Sequence, residues 1–252
     1  MIKTLGNNIV NAFTGGNPVK AIYTYGQLVW PVTIESSYYI KWTPSSAEGQ
    51  FNIDGTTYDL STFSGLYYWS TGIINRDAFN NNKSIQSIET NAKRILDRAF
   101  ESCTSLTQVN LPMCSYIGDY VFSSCSSLSQ IDLPMCSYIS DNAFNECISL
   151  LQISLPVCSY IGAGVFYSCI SLLQINLPMC SNIGYQTFYN CSSLSIITIE
   201  YSSVCSLIGS AVFTNTQITS STGSIYVPAS LVESYKSAKH WSYFSTQIFP
   251  IE

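Results

Sequence analysis

The sequence predicts a repeat solenoid, β-rich and built on parallel strands, with a small N-terminal β module and a short helical C-terminal cap. Three observations predict it. Phe79, Phe100, Phe122, Phe144, Phe166, Phe188 and Phe213 are spaced 21, 22, 22, 22, 22 and 25 residues apart, and a fixed period of this size marks stacked supersecondary units. Other columns keep the same step. They are Leu106, Leu128, Leu150, Leu172 and Leu194; Val109, Ile131, Ile153, Ile175 and Ile197; Leu111, Leu133, Leu155, Leu177 and Ile199; and Ile95, Ile117, Ile139, Ile161, Ile183 and Ile208. Finally, Pro112, Pro134, Pro156 and Pro178 close each short Leu-x-x-Val-x-Leu run.

Within one coil, Val109 and Leu111 obey a period of two, as one face of a strand does. Stacking the coils pairs these runs in parallel at about 4.8 Å, so strands are expected near 106–111, 128–133, 150–155, 172–177 and 194–199. Pro112 has no N–H and ends the ladder. The chain then turns, buries Ile117, Val121 and Phe122, and returns through Cys125. A single coil cannot bury its own apolar face, so the array over 73–217 needs neighbours and caps.

The flanks differ in texture. In residues 1–33, the turn Gly15-Gly16-Asn17-Pro18 precedes two short strand-like runs, 19–25 and 28–31, that read as a hairpin. Residues 34–72 form a β-rich linker and N-terminal cap. Strand-like pieces lie at 38–42 and 50–53, Asp54-Gly55 reads as a hairpin turn, and the aromatic run 65–69 is expected to cover the first coil. Residues 218–252 form the C-terminal cap. There Ser230 and Glu233 have capping-box spacing, which predicts a short helix over about 230–238, with Trp241, Tyr243 and Phe244 covering the last coil.

Composition excludes some functions. Only 10% of residues are charged, the net charge is −5, and no Lys/Arg cluster exists, so a nucleic-acid partner has no electrostatic footprint. No run of about 18 apolar residues occurs, so no membrane-inserted helix is expected. Residues 1–8 lack the apolar core of a signal peptide. If Met1 is the true start, export by the ordinary secretory route is not expected.

The ten cysteines fall in two columns: Cys103, Cys125, Cys147, Cys169, Cys191 and Cys114, Cys136, Cys158, Cys180, Cys205. A fixed phase in the repeat is how a small buried apolar side chain behaves, and zinc-type close pairs are absent. Free buried thiols are expected, with no cofactor and no metal. A serine at Cys147 is expected to bury an unpaired hydroxyl. His240, the single histidine, would need an exposed thiol such as Cys205 beside it for Cys–His catalysis, and is read instead as part of the cap. Asp119 and Asp141 share a phase that Ala163 and Tyr185 occupy later, and read as solvated turn residues. No enzyme is expected.

The polar columns on the strands are more informative. Gln108, Gln130, Gln152 and Gln174, with Asn110, Asp132, Ser154 and Asn176, must point away from the core. They are either a solubilising ladder bonded neighbour to neighbour or a flat recognition face for sugar or protein. Leu151 and Leu173 sit at a nominally exposed phase and suggest a contact patch. Tyr116, Tyr138 and Tyr160 form a further column, with Tyr167 and Tyr189 nearby, suited equally to recognition and to filling.

The unit Leu-Pro-x-Cys-Ser-Tyr-Ile-Gly-x-x-Val-Phe-x-x-Cys-x-Ser-Leu, over 111–128, resembles the BspA-like leucine-rich repeat. That family is abundant in surface proteins of gut and oral bacteria and in their phages. The resemblance covers roughly 73–217 and extends to 225–236, Trp241 and 249–251, which resemble the C-terminal cap of such arrays. It implies a leucine-rich-repeat-like solenoid with a binding or adhesive role, and it brings no catalytic residues. The Val-x-x-Ile-Tyr-x-x-Gly-x-x-Val-Trp-Pro pattern at 19–31 resembles short N-terminal modules of structural proteins in phages of gut Bacteroidetes.

Two expectations follow. One is a virion accessory protein that docks on other virion proteins through Ile22, Tyr23, Leu28, Val29 and Trp30 and displays the solenoid to a host-surface protein or glycan. The other is a bacterial cell-surface adhesin of the BspA-like type. Either form admits an oligomer.

Overall fold

The computed structural model describes residues 72–252 in full and, before them, the backbone of seven short strands. Strands β1 (Ile9–Asn11), β2 (Ile22–Thr24) and β3 (Gln27–Leu28) pair antiparallel as one sheet. After β4 (Tyr38–Pro44), strands β5 (Gln50–Ile53) and β6 (Thr56–Asp59) pair antiparallel across Asp54-Gly55, and β7 (Leu66–Trp69) pairs with β4. The side chains of this region lie outside the described residues. That includes the docking set Ile22, Tyr23, Leu28, Val29 and Trp30 and the aromatic run 65–69.

From Gly72 onward two strands recur per coil, as β8 (Ile73–Ile74) and β9 (Ile85–Thr90), then β10 (Arg94–Ile95) and β11 (Gln108–Asn110). The next coils hold β12 (Tyr116–Ile117) and β13 (Gln130–Asp132), β14 (Tyr138–Ile139) and β15 (Gln152–Ser154), β16 (Tyr160–Ile161) and β17 (Gln174–Asn176). The array finishes with β18 (Asn182–Ile183), β19 (Ile196–Thr198), β20 (Ser206–Leu207), β21 (Ser224–Val227) and β22 (Ile248–Pro250).

The odd-numbered strands from β9 stack as the main ladder, parallel and in register, so that Gln108 faces Gln130 and Gln130 faces Gln152. β4 joins its first edge antiparallel to β9, and β22 ends it beside β21. The expected strands are present but only three residues long, because Leu111 already belongs to a turn in which its carbonyl accepts the Cys114 N–H at 3.3 Å. The even-numbered strands form a second ladder, β8 to β20, unbroken through seven strands. At two residues per coil it is too short for alternation to announce. The main ladder is interrupted between β15 and β17. There the coils are tied by a long 3.4 Å bond from the Leu173 N–H to the Leu151 carbonyl.

The return limb is neither strand nor helix. Arg98, Tyr120, Asn142, Gly164 and Gln186, and four residues later Ser102, Ser124, Glu146, Ser168 and Asn190, have φ between 54° and 61°. These left-handed residues turn alternate N–H groups along the stacking axis. Those of Tyr120, Phe122 and Ser124 donate to the carbonyls of Asp141, Ala143 and Asn145 at 2.7–3.0 Å. Each coil thus gives its donors to the next one, so backbone groups that would otherwise be buried unpaired are satisfied.

Inside, the seven phenylalanines form one stack, with centroids 4.9–5.7 Å apart and planes within 16° of parallel. All seven are fully buried. Trp241 and Phe244 close the stack against Phe213 at 5.9 and 5.1 Å. Tyr243 does not join them; it is 70% exposed.

The last coil corrects the fourth apolar column. Its extra residues shift the phase, Leu207 pairs with Ile183 and is buried, and Ile208 is 47% exposed. The helical segment of the cap lies where expected, a 3-10 turn (Ala229–Leu231) running directly into α1 (Val232–Ser237), but no side chain caps either, so Ser230 does not form the capping box.

Gly184 lies where two coils nearly touch: a Cβ there would sit 2.3 and 2.4 Å from the Gly162 carbonyl carbon and oxygen. Backbone cannot step aside as a side chain can. Gly184→Ala should therefore cost about 1–3 kcal/mol by overpacking, read as a lowered thermal midpoint; an unchanged midpoint would mean the coils part freely.

Candidate ligand-binding face

On each strand of the main ladder the middle residue points inward and its two neighbours point out. Val109, Ile131, Ile153 and Ile175 are buried, whereas Gln108, Asn110, Gln130, Asp132, Gln152, Ser154, Gln174 and Asn176 are exposed. Period two thus places every predicted polar residue on one face. Over the strands β9 to β15 this face forms a half-open hollow of about 690 Å³, lined by Ser87 and Glu89 together with Gln108, Asn110, Gln130, Asp132, Gln152 and Ser154. Ser87 and Glu89 belong to this face although the sequence columns begin one coil later. β9 is the coil in which the repeat signature is weakest, which is why they were missed.

Gln174 and Asn176 lie beyond the interruption. They line a separate hollow of about 260 Å³ with Gln152, Ile196 and Thr198, and Asn176 donates from Nδ2 to Glu200 at 3.1 Å. Leu151 and Leu173 are 50% and 52% exposed, and Ile148 and Ile170, three residues before each, are 43% and 41% exposed. The residues at the same phases in the flanking coils are Ser or Thr.

The glutamines do not form a bonded ladder. The side-chain amides of Gln108, Gln130, Gln152 and Gln174 make no hydrogen bond to any described residue, and neither do the side chains of Asn110 and Asp132. Each carboxamide keeps an unused acceptor and two donors. By contrast, the turn carboxylates expected to be merely solvated are structural. Asp97 Oδ1 accepts the Asp119 N–H, Asp119 Oδ1 accepts the Asp141 N–H and the Ser140 hydroxyl, and Asp141 Oδ1 accepts the Ala163 N–H at 2.8 Å. These three side chains stitch coil to coil.

Elsewhere the surface carries a tyrosine ladder, Tyr116, Tyr138 and Tyr160, with centroids 5.5 and 4.5 Å apart and the Arg94 guanidinium 4.8 Å over Tyr116. Tyr167 and Tyr189 stack at 5.0 Å.

The cysteines are all buried. In the first column each thiol donates to the phenylalanine carbonyl of the preceding coil, as Cys147 Sγ does to Phe122 at 3.1 Å. In the second column Cys114, Cys136, Cys158 and Cys180 donate to a carbonyl two residues ahead at 3.3–3.4 Å. A serine at Cys147 would therefore find an acceptor rather than be left unpaired. Burial pushes the thiols of Cys103, Cys114, Cys136 and Cys191 up from 9.0 to about 12, and it raises Cys125, Cys147, Cys158 and Cys169 as well.

A hydrogen bond shared by Cys180 and Cys205 lowers the first and raises the second. Cys205 and His240 line one small hollow, in which the Cys205 thiol is buried. Among the described residues no group of three or more His, Cys, Asp or Glu side chains is placed to hold a metal ion, and no helix is long and apolar enough to cross a membrane.

Comparison with known proteins agrees with this architecture. Residues 69–159 and 115–238 match the BspA type leucine-rich repeat region, in six copies. No curated protein matches the chain. Among solved structures, the T. pallidum leucine-rich repeat protein is similar at 29% identity with a TM-score of 0.39; the match covers 45% of this chain and 64% of that one, so the chain spans less than two thirds of that relative. A leucine-rich repeat protein from Bacteroides ovatus is similar at 15% identity with a TM-score of 0.27, covering 99% of this chain and 82% of that one. The repeat period, the stacked coils and the matched repeats agree: the chain belongs to the BspA-type leucine-rich-repeat family.

Proposed function

We propose that the protein is a non-enzymatic accessory protein of a phage particle, of the head-fibre, decoration or tail-adhesin kind. It docks through residues 1–33 and displays the solenoid, whose polar strand face takes a protein or glycan of the host surface. The observation that carries the binding half is the hollow on the main ladder, with carboxamides at Gln108, Gln130 and Gln152 that no described residue satisfies. Membership of a repeat family whose stacked coils make extended binding surfaces supports it. The particle half rests on the resemblance of residues 19–31 and on apolar side chains in a segment too short to bury a core alone.

The test has two arms on the full chain. Replacing both Leu28 and Trp30 by aspartate should remove the protein from purified particles while leaving its circular dichroism unchanged. Gln130→Ala should weaken attachment of labelled protein to host cells. Full incorporation of the first variant counts against docking, and unchanged attachment of the second counts against the face.

A further inference from the structure

Two apolar surfaces of this chain need a partner, and they match. The first lies on the solenoid. Leu151 and Leu173 are half exposed on adjacent coils, where the Leu173 N–H donates to the Leu151 carbonyl. Ile148 and Ile170, on the turns leading into the same strands, are exposed too. In flanking coils this phase has a structural use: the Thr107 hydroxyl donates to the Gln86 carbonyl at 3.0 Å, and that of Ser195 to the Leu173 carbonyl at 3.3 Å. The two leucines forgo that tie, and the main ladder is interrupted between the strands they lead into. A local choice that weakens the stack and exposes aliphatic side chains marks a functional position. An apolar centre between hydroxyl-bearing coils is also how a protein interface is laid out.

The second surface is in residues 1–33, whose Ile22, Tyr23, Leu28, Val29 and Trp30 sit in a segment too short to bury a core. The charged residues of this segment are Lys3 and Lys20, with no Asp or Glu. The solenoid is the reverse: residues 99–235 hold seven carboxylates and no Lys or Arg. One of them, Glu146, stands two residues before Ile148 and is bonded to the neutral Ser124 hydroxyl. The two surfaces therefore agree in apolarity and are opposite in charge.

The segment falls short of the patch on its own chain. β4 pairs with β9 so that Ile40 faces Thr90 and Thr43 faces Ser87, which puts Tyr38 at the far strand end from the phase of Leu151. The separation is about 18 Å along the strands and about 19 Å across four strand spacings. The direct distance is thus about 26 Å to Leu151 and about 30 Å to Leu173. Trp30, eight residues before Tyr38, reaches about 26–29 Å only when the chain is drawn straight. A neighbouring copy meets no such limit.

We propose that the docking partner is a second copy of this chain: the apolar side chains of residues 1–33 of one copy cover Ile148, Leu151, Ile170 and Leu173 of the next. This rests on the reading of residues 1–33 as the docking element and names what they dock on. The two surfaces differ, so the contact is heterologous, and successive copies build a row or a ring.

The experiment follows the full-length protein by sedimentation velocity over a concentration series. Mass should rise with concentration above that of one chain. Leu173→Asp and Trp30→Asp should each sediment as single chains with unchanged circular dichroism. Mixed, they should form a one-to-one pair and nothing larger, because the mixture holds one sound segment and one sound patch. Leu151→Asp mixed with Leu28→Asp repeats the test should Trp30→Asp alter the circular dichroism. Met135→Asp, at another exposed apolar position, should associate normally. A single chain at every concentration, association that survives Leu173→Asp, or failure of the paired variants to complement overturns the proposal.

Purified particles separate its failure from that of the underlying reading. If the Leu28 and Trp30 aspartate variant is lost from particles while Leu173→Asp is incorporated normally, the segment still docks, but not on a second copy. Incorporation of both variants overturns both.

Discussion

Above about pH 9 the solenoid should lose stability steeply and unfold within one to two pH units. Below that point folded and unfolded chains both keep their thiol protons. Between 9.0 and about 12 the unfolded chain releases them while the folded chain retains them, because burial has raised the folded values. The unfolded state then binds fewer protons, and stability falls as pH rises. Each such thiol contributes a slope approaching about 1.4 kcal/mol per pH unit. Eight thiols outside the Cys180–Cys205 pair are raised in this way. Their joint slope is comparable to the whole stability of an ordinary domain, about 5–15 kcal/mol. Urea midpoints should stay level from pH 7 to about 8.5 and collapse by about pH 10.5. A midpoint that holds through pH 11 would show that folding leaves the thiols as acidic as in the open chain.

Phe144→Ala should cost about 3–5 kcal/mol, the range for deleting a fully buried aromatic ring. Phe144 stacks on Phe122 at 5.3 Å and on Phe166 at 5.7 Å. Its loss therefore opens a cavity and removes two ring contacts at the middle of the array. Because a solenoid's stability is a sum over units and their interfaces, the damage should also divide the unfolding transition. With Trp30, Trp42 and Trp69 replaced by phenylalanine, fluorescence of Trp241, at the C-terminal end of the stack, should then report a different midpoint from far-UV circular dichroism. A loss under about 1 kcal/mol with a single shared transition would mean that neighbouring rings collapse into the gap.

The core was legible in the sequence because burial recurs at one phase: Phe122, Leu128 and Ile131 each have partners 22 residues on. The outward glutamines were legible for the same reason, since Val109 turned in forces Gln108 and Asn110 out. Legibility stopped where the structural constraint is not one of side-chain type. Arg98, Tyr120, Asn142, Gly164 and Gln186 share a left-handed backbone but no chemistry, so no column reveals them. It also stopped where the period slips. The extra residues before Phe213 put Leu207, not Ile208, into the inward position, and aligning by isoleucine alone chose the wrong neighbour. Asp119 was misread because its partner is a backbone N–H in the next coil, which no side-chain pattern records. The hollow's boundary at β15 follows from which strands hydrogen-bond, and Gln174 has the same residue type on either reading.

The interruption between β15 and β17 also bears on how the array responds to load. One side of the stack is sewn continuously from β8 to β20, while the other has a missed stitch after Ser154. Bending that compresses the sewn side opens the other at a single place, and the phenylalanine stack running past it acts as the pivot. Such an array should resist bending in one direction more than in the opposite one. Pulled from its ends it should tear first at that seam, into two blocks of coils that each keep their own stacked rings.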